Sequence, residues 1–304
     1  MRNSLPVVIG GLMLLAASSA QASNCAQFNA GDINLSYDPL GAQATRQTVQ
    51  PVTLTGERKN KTTGGVQIQF VDYNDSTTPL HIGTRGPLFD VEAFGKSIAI
   101  GRAQGAMMPN QYFTYTFRSK NTYDYENIPG VQLYIDPGQN VPAGIYYGSL
   151  DVQYRCLTSG QTFSSQSNDI QSGVLHVNVN VPSELIANLS GGSTVGTIDF
   201  GNFSDTTRSA SVNVASTGPF FVLIESDHHY RMVLDGVHSP ATNQKIDYDL
   251  SFNGYPFDGR PLHFLRTGIG GAGLPLTVHV HDTHGKRNGL YKDTLTVTIT
   301  PAAF

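Results

Sequence analysis

The chain has 304 residues, with 23 acidic against 19 basic side chains and a formal net charge of −4, and its pI is near 6.1. That balance supplies no basic field, which excludes nucleic acid as an expected partner, while the length accommodates two domains that each bury a core. Thirty-two Gly, sixteen Pro and no Trp favour turn-rich β-structure over helices, and charged residues at 14% are sparse for a cytosolic protein.

Residues 1–22 read as an export signal: Arg2 gives a positive start, Val7 to Leu15 an apolar stretch, and Ala20-Gln21-Ala22 a small-x-small cleavage site. The apolar run is too short to span a bilayer. Cys25 follows closely, but Asn24 before it does not suit a lipoprotein signal. The mature chain is therefore expected to be exported and soluble. Cys25 and Cys156 are the two cysteines, and in an oxidising compartment they are expected to pair as a structural disulfide. On the chain-entropy view such a bridge stabilises by roughly 4–5 kcal/mol.

Period-two alternation then recurs along the chain, with no long 3.6-residue pattern. Val66, Ile68 and Phe70 alternate with Gln67 and Gln69; Phe113, Tyr115 and Phe117 with Thr114 and Thr116. Leu175, Val177, Val179 and Val181 point one way and His176, Asn178 and Asn180 the other. Later come Val212 and Val214, then Leu276, Val278 and Val280, then Leu295, Val297 and Ile299 set against Thr294, Thr296 and Thr298. Asn74-Asp75, Pro137-Gly138, Asn253-Gly254 and Asn288-Gly289 punctuate these runs as turns. The reading is an all-β protein of two immunoglobulin-like sandwiches. Its expected divisions are a domain over 23–182, a connector over 183–194 containing Ser190-Gly191-Gly192-Ser193-Thr194, and a domain over 195–304.

One strand occurs twice. Gly144-Ile145-Tyr146-Tyr147-Gly148-Ser149-Leu150-Asp151-Val152 is in register with Gly289-Leu290-Tyr291-Lys292-Asp293-Thr294-Leu295-Thr296-Val297. The first copy is followed by the alternating run up to Val181; the second is followed only by a few residues to Phe304. Each half also opens on a related segment, Ile33-Asn34-Leu35 and Ile198-Asp199-Phe200. The second domain is thus expected to lack its final strand, leaving a groove lined by Leu295, Val297, Ile299 and Phe200. Three such aliphatic side chains left wet forgo roughly 1.5–3 kcal/mol each, and an open strand edge invites pairing with another chain.

Tyr37-Asp38-Pro39-Leu40, Gln139-Asn140-Val141-Pro142-Ala143-Gly144-Ile145-Tyr146, Tyr230-Arg231-Met232 and Tyr291-Lys292-Asp293-Thr294-Leu295-Thr296-Val297-Thr298 together resemble the spore coat U domain family, the subunits of archaic (Csu-type) chaperone–usher pili. The resemblance touches both halves. It implies incomplete immunoglobulin-like folds whose last strand is donated by the adjacent pilus subunit, after a periplasmic chaperone has held the subunit and an outer-membrane usher has received it. With few residues between the expected cleavage point and Cys25, no donor strand of its own is expected. The resemblance therefore implies a two-domain tip adhesin, displayed at the cell surface and attaching to an abiotic or host surface. The cysteines depart from the family, whose members pair cysteines near their own early strands.

Two apolar loops are candidates for surface contact: Met107, Met108 and Pro109 within Gly105–Pro109, and Leu88 and Phe89 after Gly86-Pro87. A non-tip coat or pilus subunit is the structural alternative. A carbohydrate-binding sandwich using Tyr123, Asp124, Tyr125 and Glu126 is another. Seven of nine histidines lie between His228 and His284. His279 and His281 share a strand face, but the spacing of His279-Val280-His281-Asp282-Thr283-His284 departs from the metallo-β-lactamase signature, so no metal is expected. No nucleophile elbow, phosphate loop or dinucleotide fingerprint is present, and neither catalysis nor a cofactor is expected.

Overall fold

The computed structural model describes residues 26–28, 31–49, 52–55, 63–71, 80–81, 85–93, 96–98, 112–116, 125–127, 131–158 and 170–302. The expected leader, Cys25 and the Met107-Met108-Pro109 loop lie outside these residues. So does the side chain of Cys156, whose backbone belongs to a strand.

The first half forms β1 (Ala26–Phe28), β2 (Asp32–Ser36), β3 (Thr45–Thr48), β4 (Val52–Thr55), β5 (Thr63–Val71), β6 (Leu80–His81), β7 (Leu88–Ala93), β8 (Lys96–Ile98), β9 (Tyr112–Thr116), β10 (Tyr125–Asn127), β11 (Val131–Ile135), β12 (Gly144–Thr158) and β13 (Gln171–Val181). One sheet runs β2-β13-β12-β5-β9; the facing one runs β3-β11-β7-β6 with β8 on β7, and β1-β4-β10 form a third. The alternation seen in the sequence is the reason these strands pack. Val66, Ile68 and Phe70 meet Leu150, Val152, Leu175 and Val177 on one side of the core and Phe89, Val91, Leu133 and Ile135 on the other.

The second half forms β14 (Leu185–Leu189), β15 (Thr207–Ser216), β16 (Phe220–Ser226), β17 (Arg231–Leu234), β18 (Lys245–Phe252), β19 (Tyr255–Pro256), β20 (Leu262–Phe264), β21 (Gly268–Val280), β22 (Tyr291–Lys292) and β23 (Leu295–Pro301). The sheet β14-β15-β21-β18-β17-β22 faces the short sheet β20-β16-β23. A separate core of Val214, Phe220, Val222, Ile224, Ile246, Phe252 and Val280 lies between them. The molecule is all-β, two sandwiches in tandem.

One expectation is corrected. The connector over 183–194 is not loose: Leu185–Leu189 is β14 and pairs along its length with Leu189↔Val212 to Leu185↔Ser216 of β15, while Gly191 and Gly192, both at positive φ, turn the chain within the second sandwich. Only Pro182 to Glu184 separate β13 from β14. The polar side of β5 is covered as well as its apolar side. Gln67 and Gln69 are buried, and Gln67 accepts the Arg155 Nε–H at 2.6 Å and reaches Thr114 Oγ1 at 3.3 Å.

β13 carries a glycine for a steric reason. A Cβ on Gly173 would stand 2.3 Å from the Phe28 ring, and the close atoms include the ring's own attachment carbon, which cannot swing aside. Gly173→Ala should destabilise the first sandwich by about 1–3 kcal/mol, read as a lower urea midpoint at unchanged slope.

Candidate functional site

The duplicated strand allows one position to be inspected in two states. Locally the copies agree: Gly144 and Gly289 both have φ of 152°, Tyr146 OH donates to Pro142 O at 2.7 Å, and Tyr291 OH donates to Arg287 O at 2.8 Å. Their inner neighbours agree as well. β5 lies antiparallel to β12 with Phe70 opposite Val152, and β16 lies antiparallel to β23 with Ile224 opposite Val297.

The outer neighbours differ. β12 is bonded on its other edge by β13 over eleven residue pairs, Gly144↔Val181 to Tyr154↔Gln171. β23 is bonded by β16 alone among the described residues. Leu150, Val152 and Tyr154 are accordingly no more than 5% exposed, whereas Leu295, Val297 and Ile299 are only half-buried against the second core. In the first sandwich β2 pairs parallel with β13, Ile33 opposite Val177 and Leu35 opposite Val179. The matching segment of the second, residues 195–200, joins no strand. Ile198 there is half-buried and Phe200 is buried, its ring 6.0 Å from that of Phe203. Among the described residues β23 thus has one edge without a partner strand, with Leu295, Val297 and Ile299 half-buried along it and Phe200 buried in the same core.

At the head of β23 the repeat is broken by chemistry that sequence reading missed. Gly148 becomes Asp293, whose carboxylate is 4% exposed. It accepts from Ser226 Oγ (2.7 Å), His228 N (3.2 Å), His228 Nδ1 (3.1 Å), Thr294 N (2.8 Å) and, through a short bond, Tyr248 OH. Burial and the Asp293 bond push the Tyr248 phenol up from its ordinary range. The one available signal was the replacement of glycine by aspartate at one position of a partly matching repeat.

The remaining candidates separate. Leu88 opens β7, half-buried, with its N–H and C=O held by the Gln139 amide at 2.7 and 2.9 Å. Phe89 is 3% exposed within the first core because alternate residues of β7 face β5 and β12, so it is corrected from surface contact to core. Tyr125 and Glu126 lie in β10, and Tyr123 and Asp124 fall outside the described residues. His279 and His281 stand with ring centroids 5.8 Å apart. His279 Nδ1 meets Thr207 Oγ1 at 2.8 Å and His281 Nε2 meets Asp249 Oδ2 at 3.1 Å. Among the described residues no three His, Cys, Asp or Glu side chains gather in metal-ligating geometry.

No protein-family model matches the chain, and no curated protein does. Solved structures are similar at low identity. A chaperone–tip adhesin pre-assembly complex from the archaic Csu pili of Acinetobacter baumannii is 13% identical over 90% of this chain and 99% of that one, with a TM-score of 0.46. The CFA/I adhesin CfaE of enterotoxigenic E. coli, in a mutant form, is 11% identical over 91% and 94%, TM-score 0.36. The CupB6 tip adhesin from Pseudomonas aeruginosa is 13% identical over 84% and 86%, TM-score 0.33.

Proposed function

We propose that this chain is the tip adhesin of a chaperone–usher pilus, anchored to the fibre by a β-strand that the adjacent subunit lays along β23. The observation that carries the reading is the one-sided pairing of β23 with Leu295, Val297 and Ile299 half-buried, beside a first-domain copy that is closed by β13. A strand filling the gap gains ladder hydrogen bonds and covers those three side chains together with the half-buried Ile198. A periplasmic chaperone covers the same edge before assembly, an outer-membrane usher receives the subunit, and the protein ends at the cell surface. The first sandwich then carries the attachment function, with Met107 and Met108 and the exposed side of Leu88 as contacts to an abiotic or host surface. The role is binding, with no catalytic step.

The test uses the full mature chain and, as the donor probe, a peptide of its own residues 170–182, since that sequence already fits the equivalent position beside β12. A 1:1 complex in native mass spectrometry and a rise of about 5–10 °C in the second unfolding transition are expected, with no effect from a scrambled peptide. No complex at millimolar peptide would overturn the reading. Immunogold labelling along the shaft rather than at fibre ends would replace the tip role with that of a shaft subunit.

A further inference from the structure

β12 carries a different chemistry on each face. Inward, Leu150 and Val152 are buried in the first core; outward, Tyr147 is 65% exposed and Ile145 60%. A single wet apolar side chain calls for no explanation, but these two stand at alternate positions of one strand and border a field of amides. Ile145 lies opposite Asn180 and Tyr147 opposite Asn178 on β13. On the far side of β13, Asn178 lies opposite Asn34 and Asn180 opposite Ser36 of β2. With strands about 4.8 Å apart, Tyr147, Asn178 and Asn34 form a row roughly 10 Å long, the span of a disaccharide.

Asn178 Nδ2 donates to Asn34 Oδ1 at 3.1 Å. That bond orients both side chains and leaves the Asn178 carbonyl and the Asn34 amino group, among the described residues, without a protein partner. A carboxamide offers an acceptor and donors together, which suits a hydroxyl group, since a hydroxyl gives one proton and takes another.

The charge on the face narrows the ligand. Neither Lys nor Arg occurs in residues 32–36, 144–151 or 172–180, while Asp32 is exposed at the start of β2. A phosphate- or sulfate-bearing polymer finds no counter-charge there and meets a carboxylate. The apolar part is too small for a protein: Ile145 and Tyr147 make a strip one strand wide, well short of the area that a stable protein interface buries. An uncharged ring with hydroxyls at its rim and C–H groups on its faces fits both parts, the Tyr147 ring covering the C–H face and the amides taking the hydroxyls.

The duplicated strand supplies a control. In the second copy the positions of Ile145 and Tyr147 are held by Leu290 and Lys292, and Lys292 Nζ pairs with Asp235 Oδ2 at 2.9 Å. The strand therefore forms without an aromatic at that position, and the Tyr147 ring, mostly in water, answers no packing need.

We propose that the outer face of β2, β13 and β12 docks an uncharged glycan chain, with a sugar ring stacked on Tyr147 and its hydroxyls bonded to Asn34, Asn178 and Asn180. An open face leaves one side of the ligand wet, so a Kd of about 0.1–1 mM is expected. The inference does not rest on what fills the gap beside β23.

Titration of the full mature chain with cellohexaose, maltohexaose and chitohexaose, followed by backbone amide chemical shifts, tests it. At least one sugar should move the amides of Tyr147, Asn178 and Asn34 in a saturable way, and a heparin hexasaccharide should not. Tyr147→Lys, the residue found in the second copy, should weaken binding at least about 10-fold at an unchanged melting temperature, whereas Tyr147→Phe keeps the ring and should hold binding within about 2-fold. Asn178→Ala should weaken it about 3- to 10-fold. No saturable shift with any of the three sugars, shifts confined to other strands, equal shifts with heparin, or undiminished binding by Tyr147→Lys overturns the proposal. Broadening of the same amides that grows with protein concentration in the absence of sugar also overturns it, because the face would then belong to a second copy of the chain.

Discussion

Asp293→Ala should destabilise the second sandwich by about 3–5 kcal/mol, enough to leave it largely unfolded at 37 °C while the first sandwich melts as before. The size follows from what the carboxylate holds together. Ser226 Oγ, Tyr248 OH and the backbone N–H of His228 and Thr294 all donate to it, and alanine leaves buried donors unpaired. Ser226 Oγ also accepts the Tyr230 N–H at 2.6 Å, so the turn behind it depends on the same node. In that turn His229 and Tyr230 sit at φ of 56° and 59°, a conformation that costs about 1–3 kcal/mol per residue unless its surroundings enforce it. Asp293 also stands where the duplicated strand divides. β12 runs unbroken over 15 residues, whereas its copy splits into β22, paired with β17, and β23, paired with β16. Tyr248→Phe, which removes one donor and no charge, should cost about 1–2 kcal/mol. Calorimetry of the two variants checks the ranking, and equal, small losses in both would show that the carboxylate is not the node.

Much of the fold is legible in the sequence because strands buried on one face alternate, and alternation survives without knowledge of neighbours. The repeat headed by Gly144 and Gly289 shows that the two halves share a strand. Four features are not legible, each for a physical reason. Leu185 to Leu189 lies between Pro182 and the Gly191-Gly192 turn and shows almost no in-and-out contrast, so nothing local distinguishes a short edge strand from a connector. The burial of Gln67 and Gln69 is not legible, since alternation does not record what covers the outside of β5. The Asp293 carboxylate draws donors from β16, the turn after it and β18, all far from it along the chain. Such meetings are set by tertiary approach and not by spacing. Phe89 reads as a loop residue for a related reason: Gly86-Pro87 signals a turn, but the first residues after it already belong to β7.

The same substitution at the two copies of one position should separate a filled gap from an open one. Val152 is wholly buried between β5 and β13, so Val152→Asp places an unpaired carboxylate in a closed core and should unfold the first sandwich, a loss above about 4 kcal/mol. Val297 is half-buried, and Val297→Asp can turn its carboxylate to water through the unpaired edge. Its cost to the uncomplexed second sandwich should therefore be only about 1 kcal/mol. The penalty returns when a strand is added, because covering β23 shuts the carboxylate in. Capture of the residue 170–182 peptide should weaken by at least about 100-fold, equivalent to roughly 3 kcal/mol. Isothermal titration with both chains, alongside their unfolding curves, reads the two numbers independently. A Val297→Asp chain that unfolds as readily as Val152→Asp would mean that the edge of β23 is already covered, and one that binds the peptide undiminished would mean that the strand docks elsewhere.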